Sequence, residues 1–358
     1  MARMPRIFVY EHITALGLGR EAGSPGHSLF VEGRAMLYAI CDDLQAIPGV
    51  EVFVGGPDDF SNLAAEADWS FVIAPETDGV LLKLAEEVVR VGGRLLGPSP
   101  AAIALTSDKY ALFQHWKQSG VRTPETVLVP EPPPSWPCVV KLRDGAGSEG
   151  MRLVRTEEEY RSYVSTSFQL VDKNNPSFPP DDVTPAKICR QVGNLSPRIA
   201  QPHCPGTPAS IAFLIGPQGT IALPATFQLI STDGQFCYGG GLVPIAPELA
   251  ARAEALGRAA LAGLPGLLGY VGVDLILEEA EDVAVEINPR LTTSYVGLRQ
   301  HLDGNLAQLI LDIASGAPGT VHLTPRGRVA FWPDGRTRID PAHDFWNDPS
   351  EFSENCPG

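Results

Sequence analysis

Two stretches of the chain carry residue types at spacings that chemistry can use. In VAVEINPRLTTSY, residues 283–295, Glu286, Asn288 and Arg290 occupy every second position behind a run of valines. In a strand, side chains alternate, so Val283, Val285 and Ile287 share one face while Glu286 and Asn288 share the other. Upstream, YVGVDLIL (270–277) reads as a second strand with Asp274 in its middle, joined through the acidic EEAED. A turn centred near Ala280 makes an antiparallel hairpin that sets Asp274 opposite Glu286, and like charges so opposed cost stability unless something lies between them. A divalent cation would resolve the conflict. Magnesium takes one or two carboxylates plus phosphate oxygens and water, and Asn288 offers a neutral oxygen beside them. Arg290, if the chain stays extended through Pro289, adds a forked donor for phosphate or carboxylate. An exposed polar face would account for any one of these residues, but not readily for the row.

The second stretch is CVVKLRDGAGSEG, residues 138–150. Lys141 closes a β-branched run, and Gly145, Gly147 and Gly150, with Ser148 among them, open a compliant loop. Glycines let backbone amides approach oxygen anions without Cβ interference, and successive N–H groups can form a concave anion site. A nucleotide phosphate is the natural guest. No GK[ST] leads into a helix, so this is not a Walker loop. Taken alone, such a loop is commonly just a turn, and a lone lysine there is more often a solvated strand end.

Composition narrows the partners. A net charge of −15 and a pI near 4.9 work against nucleic acid, which is bound through clustered Lys and Arg. No stretch approaches the length of an apolar membrane span, and MARMPRIFVY lacks the core of a signal peptide, so a soluble cytoplasmic protein is expected. Six cysteines without a CxxC pair read as free thiols.

The elements that must position these groups are legible in outline. RIFVY, VEVFVG, WSFVIAP and GRLLG read as strands, with helical spacing over 28–45, which predicts an open, mostly parallel sheet. GLGREAG after the first strand does not match a dinucleotide fingerprint, because Gly17, Gly19 and Gly23 are wrongly spaced; a nicotinamide oxidoreductase is the weaker rival. Residues 97–126 read as one helix or two closed by Gly120, then a strand; EPPPSWP is an extended connector, and 138–154 is strand, loop, strand.

EINPR after a GVDLIL strand, a VVK strand with its glycine loop earlier, and SDK before that together resemble the ATP-grasp superfamily of carboxylate-amine ligases over roughly residues 97–320. The resemblance implies an α/β and α+β fold: an N-terminal open parallel sheet domain (1–97), a small ATP-grasp lobe (98–203) with a polar insertion near 165–186, a large lobe with the metal site (204–325), and a C-terminal tail (326–358). It implies ATP and Mg2+ as cofactors, Mn2+ being able to substitute, and small-molecule carboxylate and amine substrates; a homodimer is compatible with it. By motif, Lys109 and Lys141 are the phosphate-binding lysines, Gly145 to Gly150 the loop over the phosphates, and Gln201, His203 and Cys204 the hinge facing adenine. Asp274, Glu286 and Asn288 are then the magnesium ligands. Arg290, with Lys141, acts on the transferred phosphoryl group.

The chain departs from the family in two places. Where many relatives carry a glutamate in G-x-E-x-S, it has Gly206, Pro208 and Ser210, the one feature favouring a nucleotide-binding regulator without turnover. The polar insertion, rich in proline and asparagine, argues against a regular element. VEGRAM, LGPSPAAIALTSDK and FCYGGGLVP are further similar to the tyramine-glutamate ligase group of this superfamily, linked to methanofuran-type C1 cofactor synthesis. Tyr238 with Gly239, Gly240 and Gly241 is the candidate substrate-facing loop, a wide turn between strands being as open, and Glu32 and Arg34 could reach the same cleft from the N-terminal domain, a solvated helix face being the alternative for either alone.

Overall fold

The computed structural model describes residues 4–24, 26–147, 150–172, 197–278, 281–317 and 327–340. Near the start of the chain, short apolar runs make a three-stranded parallel sheet. Strand β1 (Arg6–Glu11) lies between β2 (Glu51–Val54) and β3 (Trp69–Ile73). Helix α1 (His12–Leu16) starts where β1 ends, because the Glu11 carboxylate accepts from the Ile13 and Thr14 amides, and left-handed Gly17 stops it. A Cβ at Gly19 would lie 2.4 Å from the Gly26 carbonyl, so these glycines serve a tight turn. Helices α2 (His27–Gln45), α3 (Phe60–Glu66) and α4 (Val80–Arg90) complete the unit. GRLLG does not form the expected strand: only Ser70 and Leu95 bridge, and Pro98, lacking an N–H, cannot prolong the ladder.

The helical stretch that follows divides in two. Ser99 caps α5 (Pro100–Ser107), and Asp108, in an extended conformation, breaks the spiral and caps α6 (Lys109–Ser119) by accepting from the Tyr110 and Ala111 amides. Lys109 is thereby placed on the first turn of α6. Trp116 of that helix is fully buried and donates to the Ala260 carbonyl at 2.9 Å.

A four-stranded antiparallel sheet follows, from β4 (Val127–Leu128), β5 (Cys138–Leu142), β6 (Arg152–Val154) and β7 (Arg198–Pro202), in the order β4-β7-β5-β6. Cys138, Val140, Val154 and Ala200 pack with Tyr160 of α7 (Glu157–Asp172), so Val139, Lys141, Ile199 and Gln201 share the opposite face. Residues 165–172, expected to be irregular, continue α7, whose first turn carries Glu157, Glu158 and Glu159, favourable at a helix N-terminus. The rest of the insertion, 173–186, lies outside the described residues, as do residues 187–196.

The large sheet has eight strands: β8 (Thr207–Gly216), β9 (Gly219–Ala222), β10 (Thr226–Ile230), β11 (Tyr238–Val243), β12 (Gly269–Leu277), β13 (Val283–Asn288), β14 (Arg328–Phe331) and β15 (Thr337–Asp340). Their order is β13-β12-β8-β10-β11-β14-β15, with β9 on β8, and every pairing is antiparallel. The segment set apart as a tail thus supplies two strands of the main sheet. Helix α8 (Pro247–Leu261) covers the face bearing Ile211, Phe213, Val271 and Val273. On the other face, Ala212, Leu214 and Tyr270 share one core with α9 (Ser294–His301), α10 (Leu306–Ala314), α2 and β1. The N-terminal unit is locked there by Asp43, whose carboxylate accepts from Tyr295 Oη at 2.6 Å and Arg299 Nε at 2.9 Å.

Candidate active site

The β12–β13 hairpin carries the polar row, with a register that strict alternation does not give. Asp274 pairs with Glu286, but Leu275 pairs with Ala284, so Val285 is an extra residue, a β-bulge. Ala284 and Ile287 both enter the core beneath α8, while Val283 and Val285 are only half-buried. The apolar face is therefore Ala284 and Ile287, not the valines. An inserted residue lets both be buried while Glu286 and Asn288 keep to the polar side.

Around Glu286 the small lobe closes from above. Lys109 Nζ lies 3.3 Å from Glu286 Oε2 and Lys141 Nζ lies 4.0 Å from the same oxygen. Burial raises the Glu286 carboxyl, but the two ammonium groups more than offset this and hold it below the usual carboxylate range. Burial, with Lys109 adding to it and Glu286 opposing, draws Lys141 down to about 8. Asp274 goes the other way: burial and the neighbouring Glu286 charge push it well above the usual range. Its two oxygens accept from Gln228 Nε2 at 3.1 Å and Asn288 Nδ2 at 3.0 Å.

These residues fit a magnesium ion. Among the described residues no three His, Cys, Asp or Glu side chains gather as a metal cluster. Two opposed carboxylates and an amide oxygen are instead the sparse all-oxygen set that suits Mg2+ completing its shell with phosphate and water. The mutual repulsion registered at Asp274 is what a cation would relieve.

The glycine loop is held at both ends. Lys109 Nζ donates to the Gly145 carbonyl at 2.5 Å, the Ala146 amide to Thr77 Oγ1 at 3.1 Å, and Arg198 Nη1 to the Gly150 carbonyl at 3.0 Å. Gly147 and Gly150 have φ of 62° and 67°, where a Cβ is strained. Ser148 lies outside the described residues. At the hinge, Gln201 sits on the Lys141 face of the small sheet, but its amide donates to Thr126 Oγ1 at 2.8 Å. The His203 amide donates to the Pro137 carbonyl at 2.8 Å, and its ring lies 6.0 Å from that of Phe236. The Cys204 thiol is pushed up to about 11, by burial first and then by Glu278.

The N-terminal unit supplies a third wall. Glu32 accepts from Thr293 Oγ1 at 3.1 Å; burial raises its carboxyl, with Thr293 and the Arg290 charge opposing. Tyr238 lies close enough to Glu32 and Asp274 for their charges, added to burial, to hold its phenol well above 10. Arg34 is not brought in: it is exposed, on the far side of α2, with its guanidinium 5.4 Å from the Phe30 ring centre. Gly239 and Gly240 are not a loop but part of β11. A Cβ at Gly240 would stand 2.1 Å from the Phe331 carbonyl, so close strand packing, not substrate, requires that glycine.

Glu76, Thr77 and Gln228 also line the site and were not anticipated. Glu76 and Thr77 follow β3, at the carboxyl end of a parallel strand where ligands of open α/β sheets gather, a signal the sequence offers. Gln228 leaves no such signal in TFQLI.

The family model described as the ATP-grasp domain matches residues 106–294, over half of the chain, and that of the pre ATP-grasp 3 domain matches 54–103. The chain is 27% identical over 250 residues to the tyramine–L-glutamate ligase of Methanocaldococcus fervens. That match covers 69% of this chain and 66% of the relative, so it spans just under two thirds of that protein's length. Among solved structures, an ATP-grasp superfamily protein from Archaeoglobus fulgidus superposes with a TM-score of 0.65 at 23% identity, covering 92% of both chains. The biotin carboxylase domain of the Hydrogenobacter thermophilus 2-oxoglutarate carboxylase, crystallised with MgADP, gives 0.62 at 14% identity, covering 92% of this chain and 74% of that one. At these identities the structures attest the fold. Among the described residues no helix is long and apolar enough to cross a membrane.

Proposed function

The chain belongs to the ATP-grasp family, whose members use ATP and magnesium, and from that premise we propose that it is a ligase joining a carboxylic acid to an amine through an acyl phosphate. The observation that carries this reading is the convergence of Lys109, Lys141, Arg290 and the Asp274, Glu286, Asn288 set on one place, where a triphosphate's outer groups would lie.

Lys109 and Lys141 bind the phosphates, exchanging their bond to Glu286 for phosphate oxygens. Asp274, Glu286 and Asn288 hold magnesium, which when bound neutralises phosphate charge. Arg290 faces the phosphoryl group in transfer, where charge-assisted donors are worth most because the site is buried. A substrate carboxylate oxygen attacks the γ-phosphorus, the bond to the β-phosphate oxygen breaks, and ADP leaves. The amine nitrogen then attacks the acyl carbon, and phosphate departs carrying the amine's proton. The amide is the product.

The likeness to the tyramine–L-glutamate ligase, with Glu32 and Tyr238 at the N-terminal wall, supports glutamate and an aromatic amine as the first pair to test. Chromatography of the spent nucleotide after turnover checks the bond chosen. ADP with phosphate is expected; AMP with pyrophosphate would mean the cationic groups serve the α-phosphate. A protein that binds ADP yet releases none from ATP with any acid and amine would be the regulator that Pro208 favours.

A further inference from the structure

Arg290 does not stand alone beside the metal carboxylates. Its Nε lies 2.9 Å from Glu76 Oε1, its Nη2 donates to Glu76 Oε2 at 3.1 Å, and its Nη1 donates to the Leu291 carbonyl at 3.1 Å. Both side chains are almost wholly enclosed, at 12% and 5% exposure. One N–H on each terminal nitrogen is left over for a ligand. Glu76 belongs to the other end of the chain, in the turn after β3. Its neighbour Thr77 accepts from the Ala146 amide of the glycine loop, so a single turn of the N-terminal sheet touches both the arginine and the phosphate loop.

A free arginine here would have competing partners. Glu32 and Glu286 both lie close enough to interact with Arg290, and a guanidinium on a flexible stem could turn onto either carboxylate. The ion pair with Glu76, one hydrogen bond from Nη2 and a close charge contact at Nε, holds the fork off Glu286.

We propose that Glu76 is the positioning residue of Arg290, aiming its free N–H groups at the phosphoryl group in flight, and that the N-terminal sheet is thereby a working part of the site. The inference builds on the ligase reading, but its test does not depend on finding the substrates. ADP with aluminium fluoride mimics a phosphoryl group in transfer, and its affinity can be titrated on the full chain beside that of ADP alone. In Glu76→Gln, ADP affinity should stay within about twofold, while affinity for the fluoride complex falls by about tenfold or more, the scale of a lost charge-assisted donor. Glu76→Asp, which keeps the charge but shortens the reach to the guanidinium, should fall between, and serves alone if Glu76→Gln does not fold. Adding Glu76→Gln to Arg290→Gln should cost nothing further, because the two act as one unit. With an accepted substrate pair, kcat should drop by about tenfold with KM for ATP nearly unchanged. Wild-type affinity for the mimic in Glu76→Gln, with only the melting temperature lowered, would overturn the proposal and leave Glu76 as domain glue. Losses that multiply in the double variant would overturn it too. If instead no acid and amine yield ADP, the ligase reading fails while the mimic titration still decides the role of Glu76.

Discussion

Lys109 and Lys141, one from a helix and one from a strand, point their ammonium groups at the same oxygen, Glu286 Oε2, at 3.3 and 4.0 Å. Glu286 and Asp274, opposed across the hairpin, are therefore not equivalent. One carboxylate is flanked by two ammonium groups and the other takes its hydrogen bonds from the Gln228 and Asn288 amides.

The two should respond to neutralisation with opposite sign. Glu286→Gln leaves two enclosed ammonium groups without their counter-charge and should lower the stability of the nucleotide-free protein by about 2–4 kcal/mol. Asp274→Asn removes the repelled charge and should raise it. Both should lose turnover by about 100-fold or more, since each removes an oxygen from the proposed magnesium set. Thermal melts beside ADP-release assays check this, and shifts of the same sign would contradict the arrangement.

The gain from Asp274→Asn should depend on pH. An acid whose native pKa lies above its unfolded value binds more protons when folded, so the native protein loses stability as pH rises between the two. The variant should differ least from wild type at the acid end, toward the unfolded-state value near 4, and exceed it increasingly up to the native pKa of Asp274, by on the order of 1–3 kcal/mol. Denaturant midpoints at pH 4.5 and 8 give the comparison.

Nucleotide binding should take up protons in mildly alkaline solution. Lys141 titrates at about 8 because burial disfavours its charge, and phosphate oxygens would restore the proton. Binding of ADP at pH 8.5 should therefore absorb about half a proton or more, and affinity should fall as pH climbs past 8. Calorimetry in buffers of different ionisation enthalpy measures the uptake. It should vanish in Lys141→Met.

On α2, neighbouring charges should separate cleanly. Glu32→Gln loses the carboxylate facing Arg290 and Thr293 and should raise KM for the acid or amine by about tenfold, the worth of one charged hydrogen bond. Arg34→Ala, at an exposed position, should stay within about twofold of wild type. Steady-state kinetics on the two variants decides it.

Two glycines test different levels of structure. Gly240→Ala puts a methyl against the Phe331 carbonyl inside the large sheet and should cost about 3 kcal/mol or more of global stability. Gly147→Val strains only the phosphate loop, by about 1–2 kcal/mol, and should slow turnover with little change in melting temperature. Differential scanning calorimetry with an ADP-release assay tells the two apart.

Much of the site is local in origin, and so it could be read from the chain. Alternation along two strands and one short acidic turn are enough to oppose Asp274 and Glu286, and capping chemistry at Asp108 puts Lys109 on the first turn of α6. Glycines at 145, 147 and 150 announce a loop that needs bare backbone. The bulge at Val285 was hidden because it depends on which residues α8 covers, and no pattern within the strand records that.

Other features exist only once distant segments meet. Whether Gly240 is loop or strand was settled by the backbone of Phe331, and the role of residues 328–340 by an open edge on β11 that their hydrogen bonds complete. Arg34 and Glu32 look alike in sequence, and only the rotation of α2 on the large lobe, locked through Asp43, exposes one and turns the other inward. The pairing of Glu76 with Arg290 is likewise beyond the sequence. It joins two short polar stretches 214 positions apart, and the docking of one whole sheet on another brings them together.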